Sequence, residues 1–418
     1  MIAIKTADSI DAVVKVPGSK SYTNRALPIA ALADGKSVLR NVLFSDDTKY
    51  MVQALKEFGI KVSQEANNFI VSGKSGKLKK PNKDIFLGNA GTATRFLTTL
   101  SALVGDEVTI TGDERMQERP IQDLLDALKK LGVNAISKNN NRCPPVLVKG
   151  PLIGGSTKLN GNISSQYLSS ILMASPYAKK QVQVEIEGEL TSKSYIDITL
   201  DIMHQFDVTV ENDNYKKFSI QNQEYRPKNY NIEGDASNAS YFFGAAAITK
   251  GKVRVENLNP DSAQGDINFP EVLKKMGCKV RRGEGWIEVE GTDLKGIDID
   301  MNQMPDTVQT LAVVAAFAEG KTKITNVENL RVKETDRILA LTTELRKIGA
   351  KVDELKDGLT ITPNKLHGAE IDTYNDHRMA MAFAISGLNI SGIKIKNPEC
   401  VNKSFPGYFK EFDRLYKK

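Results

Sequence analysis

Six segments of this 418-residue chain share one pattern, in which small polar or charged residues lead into an alanine-rich apolar stretch that stops at a glycine or a turn. Self-similarity at a spacing of roughly 70 residues indicates a repeated structural unit, and it constrains the fold more than any other feature of the chain. The spacing of the apolar residues predicts a buried helix in each segment. The six segments are residues 19–35, 89–105, 164–178, 234–251, 305–320 and 375–389.

The start of each predicted helix is a candidate site for an anion. The first N–H groups of a helix have no partner within it, and the N-terminus carries a partial positive charge. If the six starts lie close together in the fold, they form one anion-binding region.

A second element recurs between these helices. It is a helix that ends in an apolar residue and glycine and continues into a short alternating stretch, which predicts a glycine in the left-handed region and a half-buried strand. An aspartate, Asp207, takes the place of the glycine in residues 203–210. The other copies are residues 54–62, 127–135, 272–280 and 344–352.

The length and the repeats predict two domains of three repeats rather than an open solenoid, because no polar capping repeat is visible at either end. The predicted α/β domains comprise residues 14–227 and residues 1–13 with 228–418. Residues 222–231 are the most linker-like stretch. We expect residues 1–13 to complete the sixth repeat, whose own strands end with the chain.

Composition indicates a soluble globular protein, with 40% hydrophobic and 26% charged residues. No segment predicts a membrane span or a secretory signal, so we expect a cytoplasmic protein. Cys143, Cys278 and Cys400 are far apart and predicted to be reduced thiols, and the three histidines are equally scattered. A metal site is therefore not expected. The net charge of +6 is compatible with either nucleic acid or small acidic ligands.

Basic side chains are concentrated at the helix starts and in the loops before the second helices. Arginine binds phosphate and carboxylate in a bidentate manner, and lysine adds a point charge, so the pattern indicates a site for more than one anionic group. These residues are Lys20, Arg25, Arg95, Arg115, Arg119, Arg331, Lys333, Arg337, Arg378 and Lys403.

Two acidic residues stand among these cations. Asp306 is either the N-cap of its helix or a proton-transfer group, and Glu334 is either an ion-pair partner of its neighbours or a proton-transfer group. The residue pattern alone leaves both alternatives open.

Six motifs in order, over essentially the whole chain, resemble the 5-enolpyruvylshikimate-3-phosphate synthase family. They are PGSKSYTNRAL at residues 17–27, LGNAGTATRFL at 87–97, RPI at 119–121, SSQ at 164–166, RVKETDR at 331–337 and NDHRMAM at 375–381.

The resemblance implies two inverse α/β domains, each of three βαβαββ-type repeats, with the active site in the interdomain cleft. It implies transfer of the enolpyruvyl group of phosphoenolpyruvate to the 5-hydroxyl of shikimate 3-phosphate with release of phosphate, without a cofactor. We further expect a monomer that binds neither nucleic acid nor membrane.

The family's site residues fall on matching positions of this sequence. The catalytic set is Asp306 as base, Glu334 as acid, and Lys20. The implied contacts of shikimate 3-phosphate are Lys20, Ser21, Arg25, Ser164, Ser165, Gln166, Ser192, Asp306, Asn329 and Lys333. The implied contacts of phosphoenolpyruvate are Lys20, Gly91, Arg119, Gln166, Arg337, Arg378 and Lys403.

Phe96 departs from the family, much of which carries proline there, and we expect it to alter the fit of glyphosate, the family's inhibitor.

One alternative function is that of the sister transferase that acts on UDP-N-acetylglucosamine, but its reactive cysteine has no counterpart in residues 111–121. The other is a non-catalytic anion-binding or RNA-binding repeat protein, which explains neither Asp306 and Glu334 nor the lack of aromatic stacking residues. The start at Asp235 has no expected role beyond capping.

Overall fold

The computed structural model describes residues 1–7, 9–162 and 164–416. The α-helices in these residues are α1 (Lys20–Leu32), α2 (Asp46–Glu57), α3 (Gly91–Ser101), α4 (Gln122–Lys130), α5 (Ser165–Ala174), α6 (Lys193–Gln205), α7 (Ala236–Thr249), α8 (Phe269–Lys275), α9 (Val308–Ala315), α10 (Arg337–Lys347), α11 (His377–Ser386) and α12 (Tyr408–Phe412). Short 3₁₀ helices are Met116–Glu118, Ser175–Tyr177, Gly265–Asn268, Pro305–Thr307, Glu328–Val332, Pro398–Lys403 and Asp413–Tyr416.

The strands form six small sheets. In chain order they are β1 (Ile2–Ala3), β2 (Asp11–Lys15), β3 (Lys36–Arg40), β4 (Lys61–Glu65), β5 (Asn68–Ser72), β6 (Ile85–Phe86), β7 (Glu107–Thr111), β8 (Asn134–Ser137), β9 (Val146–Lys149), β10 (Gly155–Asn160), β11 (Val182–Glu187), β12 (Glu211–Asp213), β13 (Lys217–Ile220), β14 (Asn229–Asn231), β15 (Lys252–Glu256), β16 (Lys279–Gly283), β17 (Trp286–Glu290), β18 (Asp298–Asp300), β19 (Thr322–Thr325), β20 (Lys351–Leu355), β21 (Gly358–Thr362), β22 (Glu370–Ile371) and β23 (Lys394–Ile395).

The third repeat shows the repeated unit in full. Strand β10 pairs in parallel with β11, and α5 connects the two. Helix α6 then leads to β12, which pairs antiparallel with β13, and β13 pairs antiparallel with β11. The same strand order recurs in the sheets β6-β7-β9-β8 and β18-β19-β21-β20. The βαβαββ repeat implied by the family resemblance is therefore confirmed.

Three sheets are completed by strands from distant parts of the chain. Strand β1 pairs antiparallel with β23, which confirms that the first residues complete the sixth repeat. Strand β2, however, joins the fourth repeat, in parallel with β15. Strand β14 joins the first repeat beside β3. Residues 222–231 contain β14 and the fully buried Tyr225, so this linker-like stretch is a structured part of the first unit, and the boundary between the units follows directly after it.

The chain forms two compact units, residues 18–232 and residues 1–17 with 233–418. The first unit contains the sheets of repeats one to three, and the second contains the sheets of repeats four to six. In the first unit, α1, α3 and α5 are buried almost throughout. In the second unit, every residue of α7, α9 and α11 is buried. These are the six helices predicted from the sequence.

Small residues allow the buried helices of the second unit to approach closely. A Cβ on Gly244 of α7 would lie 2.8 Å from side-chain carbons of both Thr310 in α9 and Ile385 in α11. Several strands instead alternate between buried and more exposed residues, as in the burial patterns of β2 and β3. The helices therefore form the interior of each unit, and the sheets cover it.

The predicted turns after the second helices are also confirmed. Asp207, which replaces glycine, has a φ of 64°, a conformation that aspartate tolerates better than most residues. The glycines in the equivalent places, Gly59, Gly132, Gly277 and Gly349, have φ values between 82° and 116°. Among the described residues, no helix has the length and apolar character needed to cross a membrane.

Candidate active site

The first helix places one half-buried lysine and one buried arginine. Lys20 begins α1, and its Nζ lies 3.9 Å from Oδ2 of Asp47. Arg25, one turn later, is only 2% exposed. Its guanidinium donates to Oγ1 of Thr199 at 2.7 Å and to the carbonyl oxygens of Ser21 and Tyr195. A further contact at 3.4 Å goes to Oγ of Ser169.

Every hydrogen-bond partner of Arg25 in the described part of the chain is neutral. Burial lowers the pKa of Arg25 to about 10. The ring of Phe96 lies beneath the guanidinium, with 5.2 Å between Cζ and the ring centroid. A buried cation with neutral partners and an aromatic ring is suited to an anionic ligand.

The start of α3 is the second basic site. Its N-cap, Ala90, provides no side-chain hydrogen bond. The Arg119 guanidinium donates to Oδ1 of Asn89 at 2.9 Å, and a Cβ on Gly91 would lie 2.6 Å from Nη2 of Arg119. Only glycine allows this close approach of the guanidinium to the helix start, where the N–H groups and the arginine can bind an anion together.

Two side chains fix the residue that follows Arg119. Nη2 of Arg95 and the hydroxyl of Tyr167 both donate to the carbonyl oxygen of Pro120, at 2.8 and 2.7 Å. Burial, and next the like charge of Arg119, lowers the pKa of Arg95 to about 10. Arg95 therefore orients the Arg119 loop. Tyr167 was missed in the sequence because it lies within an apolar helix.

The serine-rich start of α5 lies near the start of α3. Ser164 caps α5 by accepting from the backbone N–H of Gln166. The Gln166 side chain donates to Oγ1 of Thr92 at 3.3 Å, which brings it to the first turn of α3. Ser165 is buried, and Ser192 is buried in a left-handed conformation directly before α6. The structure thus brings Gln166 close to Gly91.

In the second unit, Arg337 is the centre of the candidate site. It is 1% exposed and begins α10. Nη1 donates to Oδ1 of Asp306 at 3.0 Å, and Nη2 donates to Oε2 of Glu334 at 2.9 Å. Nε donates to Oδ2 of Asp376 at 2.7 Å. One buried guanidinium therefore holds both of the predicted proton-transfer carboxylates.

Burial alone would lower the pKa of Arg337, but the three carboxylates, led by Asp376, hold it above its ordinary value. A second arginine shares Asp306, because Nη2 of Arg378 donates to its Oδ2 at 2.6 Å. Nη1 of Arg378 contacts the Tyr241 hydroxyl at 3.3 Å. Asp306 is therefore fixed through both of its oxygens.

Asp306 does not cap α9, so that alternative interpretation was wrong. It lies in the 3₁₀ helix Pro305–Thr307, and the N-cap of α9 is Thr307, which has no side-chain capping bond. Glu334 forms an ion pair with Arg337, as expected if Glu334 is an ion-pair partner of its neighbours in the sequence. That ion pair does not exclude proton transfer, since it also fixes the position of the carboxylate.

Two of the six helix starts are capped by a carboxylate, which was expected for Asp235 but not for Asp376. Asp235 caps α7 and Asp376 caps α11, each by accepting from backbone N–H groups. These carboxylates already satisfy backbone N–H groups at the positive ends of the two helices. The acidic residue in the NDHR motif was the sequence signal for the Asp376 cap.

The remaining predicted residues lie in short 3₁₀ segments of the second unit. Asn329 lies within Glu328–Val332, Lys333 follows it directly, and Lys403 ends Pro398–Lys403. Two basic residues of the sequence pattern have other roles. Arg331 forms ion pairs with Asp336 and Glu354. Arg115 forms an exposed pair with Glu118.

Asp266 is a buried acid that the sequence analysis missed. It is 5% exposed, and Oγ of Ser237 donates to its Oδ2. Burial, and next the negative charge of Asp306, raises the pKa of Asp266 to about 7. The protonation of Asp266 therefore depends on the charge of Asp306. Within the described ranges, no group of three or more His, Cys, Asp or Glu residues is arranged to hold a metal ion.

Comparison with known proteins identifies the family of this chain. A family model described as EPSP synthase (3-phosphoshikimate 1-carboxyvinyltransferase) matches residues 4–412. The chain belongs to the EPSP synthase family. Two relatives named 3-phosphoshikimate 1-carboxyvinyltransferase are similar over nearly their whole length. The relative from Histophilus somni is 46% identical, over 100% of this chain and 99% of its own. The relative from Haemophilus ducreyi is 48% identical, over 98% and 97%.

The fold is also that of the EPSP synthase family. A solved structure of EPSP synthase from Acinetobacter baumannii has a TM-score of 0.83 and 28% sequence identity, and the match covers 99% of this chain and 97% of that chain. A second structure of EPSP synthase from the same organism has a TM-score of 0.81 and 27% identity. The α/β fold of this chain is therefore that of known EPSP synthases.

Proposed function

We propose that this chain is a 3-phosphoshikimate 1-carboxyvinyltransferase, which transfers the enolpyruvyl group of phosphoenolpyruvate to the 5-hydroxyl of shikimate 3-phosphate and releases phosphate. The family model and the two relatives support this function. The observation that carries the mechanism is the Arg337 guanidinium, which bonds Asp306 and Glu334 through separate nitrogens.

In its protonated form, Glu334 acts as the acid in the addition step. It gives a proton to the methylene carbon of phosphoenolpyruvate, and positive charge develops on the adjacent carbon. The 5-hydroxyl oxygen forms a bond to that carbon while its proton passes to Asp306. The product of this step is a tetrahedral intermediate that still carries the phosphate.

Elimination then reverses the proton transfer at carbon. The bond between the tetrahedral carbon and the phosphate oxygen breaks, the proton held by Asp306 passes to the leaving phosphate, and the methyl group returns a proton to the Glu334 carboxylate. Cationic side chains stabilise the charge on the leaving phosphate. We assign this role to Lys20, Arg119, Arg378 and Lys403.

The remaining site residues bind and orient the substrates. Arg25 is the main cation for shikimate 3-phosphate, because it is buried and has only neutral partners among the described residues. The close approach of Arg119 to Gly91 supports a phosphoenolpyruvate contact at the start of α3. The other contacts of shikimate 3-phosphate in this proposal are Lys20, Ser21, Ser164, Ser165, Gln166, Ser192, Asp306, Asn329 and Lys333. Phosphoenolpyruvate also contacts Gln166 and Arg337.

The chain is proposed to act as a monomer in the cytoplasm. The three cysteines are free thiols, which is typical of a reducing compartment. Sedimentation velocity measures the oligomeric state, and a stable dimer would contradict this part of the proposal.

A phosphate-release assay tests the function. With phosphoenolpyruvate present, we expect release of phosphate when shikimate 3-phosphate is added and none when UDP-N-acetylglucosamine is added. Release of phosphate from phosphoenolpyruvate with UDP-N-acetylglucosamine but not with shikimate 3-phosphate would favour the sister transferase. Salt-sensitive RNA binding without turnover on either acceptor would favour the non-catalytic alternative.

A further inference from the structure

A buried hydrogen bond connects the first turn of α7 to the segment that carries Lys403. Asn238 is 1% exposed, and its backbone N–H donates to the capping carboxylate of Asp235 at 2.8 Å. Its side-chain Nδ2 donates to the carbonyl oxygen of Ser404 at 3.1 Å. Ser404 is itself only 2% exposed, so water does not compete freely for this bond.

The accepting carbonyl lies directly after Lys403. Lys403 is the last residue of the 3₁₀ helix Pro398–Lys403. The backbone N–H groups of Ser404 and Phe405 both donate to the carbonyl oxygen of Val401, at 3.0 and 2.7 Å. The backbone around Lys403 is thus fixed in two ways. The hydrogen bonds to the Val401 carbonyl close the turn that contains Lys403, and the Asn238 side chain binds the carbonyl of the next residue, Ser404.

Aromatic packing provides a second attachment to the same helix. Phe242 lies four residues after Asn238, and therefore on the same face of α7. The ring centroids of Phe242 and Phe405 are 6.2 Å apart, and Phe405 also packs against Tyr408 at 5.5 Å. Ring packing holds the segment against α7, whereas the directional hydrogen bond fixes the peptide beside Lys403.

We propose that Asn238 is a positioning residue for phosphoenolpyruvate, which acts by fixing the backbone that presents Lys403. The inference rests on the proposed function, in which Lys403 binds phosphoenolpyruvate. Without the Asn238 amide, the Ser404 carbonyl is buried without this donor and the segment shifts. The Lys403 ammonium then lies out of place for an anion, while the contacts of shikimate 3-phosphate in the other unit are unchanged. The start of α7, the fourth of the six alanine-rich helices, therefore has a role beyond capping.

Steady-state phosphate release tests the proposal, with each substrate varied in turn while the other is saturating. We expect Asn238→Ala to raise the KM for phosphoenolpyruvate roughly tenfold, as for loss of a buried hydrogen bond. The KM for shikimate 3-phosphate changes less than about twofold, since the binding groups for that substrate are retained. If the alanine variant does not fold, Asn238→Ser is measured in the same way, because its side chain is too short to reach the Ser404 carbonyl.

Asn389→Ala is the matched control. The Asn389 side-chain amide donates to the carbonyl oxygen of Ile248, near the other end of α7. This variant loses the same kind of bond, from a side-chain amide to a backbone carbonyl, in the same unit, although Asn389 itself is exposed. We expect it to leave the KM for phosphoenolpyruvate unchanged.

A double-mutant cycle shows whether Asn238 acts through Lys403. In a Lys403→Ala background, we expect Asn238→Ala to change the KM for phosphoenolpyruvate by less than about twofold. An equal effect in both backgrounds, or a normal KM in Asn238→Ala itself, would overturn the inference. Absence of shikimate 3-phosphate-dependent turnover in the unaltered protein would instead refute the proposed function.

Discussion

At the scale of single residues, the site of the second unit is built around one buried arginine. Arg337 bonds three carboxylates that come from different parts of the chain, Asp306, Glu334 and Asp376. Replacing one of these carboxylates by its amide preserves shape while removing charge and basicity. The roles of the two proposed proton-transfer groups can therefore be tested without a large change in packing.

We predict that Asp306→Asn and Glu334→Gln each lower kcat by at least about 100-fold, the range expected for loss of a general acid or base. The dissociation constant of shikimate 3-phosphate should change much less, because Arg25 and the serines of the other unit are retained. Rapid-mix assays for turnover and equilibrium titration for binding measure the two quantities. Near-normal turnover in both variants would contradict the assignment.

Phe96 is the residue at which this chain departs from much of its family, and the structure gives it a partner. Its ring is fully buried beneath the Arg25 guanidinium. A desolvated cation–π contact stabilises by roughly 1–2 kcal/mol, so we predict that Phe96→Leu raises the KM for shikimate 3-phosphate about tenfold. The altered fit of glyphosate stays a prediction, to be measured as an inhibition constant in the same variant.

Phe218→Leu serves as the control for Phe96→Leu. Phe218 is equally buried and lies in β13 of the same unit, where its ring neighbour is Tyr215. This variant should lower stability without changing the KM for shikimate 3-phosphate. A similar KM change in both variants would mean that Phe96 acts through general packing rather than through Arg25.

At the scale of elements, the local signals in the sequence were sufficient for the helices and their turns. The six alanine-rich helices and the positive φ values at Gly59, Gly132, Gly277 and Asp207 follow from periodicity and turn chemistry. The places of β2 and β14 did not follow, because their pairing partners are distant in sequence. Strand β2, for example, pairs with β15, which is more than 200 residues away.

The turn after α10 allows a test of these glycines. Gly349 has a φ of 101°, and an added Cβ would lie 2.5 Å from the carbonyl oxygen of Lys365. We predict that Gly349→Ala lowers the free energy of unfolding by roughly 2 kcal/mol or more, since it combines backbone strain with a steric clash. Urea denaturation followed by circular dichroism measures the change.

Gly320→Ala separates the effect of backbone strain on stability from the effect of the steric clash. Gly320 has a φ of 84°, but an added Cβ would have no atom within 4 Å. Strain alone should cost only about 1 kcal/mol. If both variants were equally unstable, the clash with the Lys365 carbonyl would contribute nothing.

At the scale of the whole molecule, the two units differ in how much of the chain they need. The sheets described for residues 18–232 are complete within that range. The unit of residues 233–418 also needs residues 1–17, since β1 and β2 complete two of its sheets and Val14 lies in its core. The repeat pattern predicted part of this dependence, since residues 1–13 were expected to complete the sixth repeat, but it did not predict the pairing of β2 with β15 in the fourth repeat.

We predict that a fragment of residues 18–232 folds and melts cooperatively, because it contains its own core. A fragment of residues 233–418 should not melt cooperatively until a peptide of residues 1–17 is added. Thermal unfolding followed by circular dichroism compares the two fragments. Cooperative melting of the 233–418 fragment by itself would show that β1 and β2 are dispensable for the folding of this unit.

The central claim is that enolpyruvyl transfer proceeds by protonation of the methylene carbon and subsequent loss of a proton from the same carbon. In deuterated water, the acid that protonates this carbon carries deuterium, and the resulting methyl group loses only one of its three hydrogens. Mass spectrometry of the product formed from phosphoenolpyruvate and shikimate 3-phosphate should therefore show deuterium in the enolpyruvyl methylene group. A product formed at the normal rate without deuterium would contradict the account.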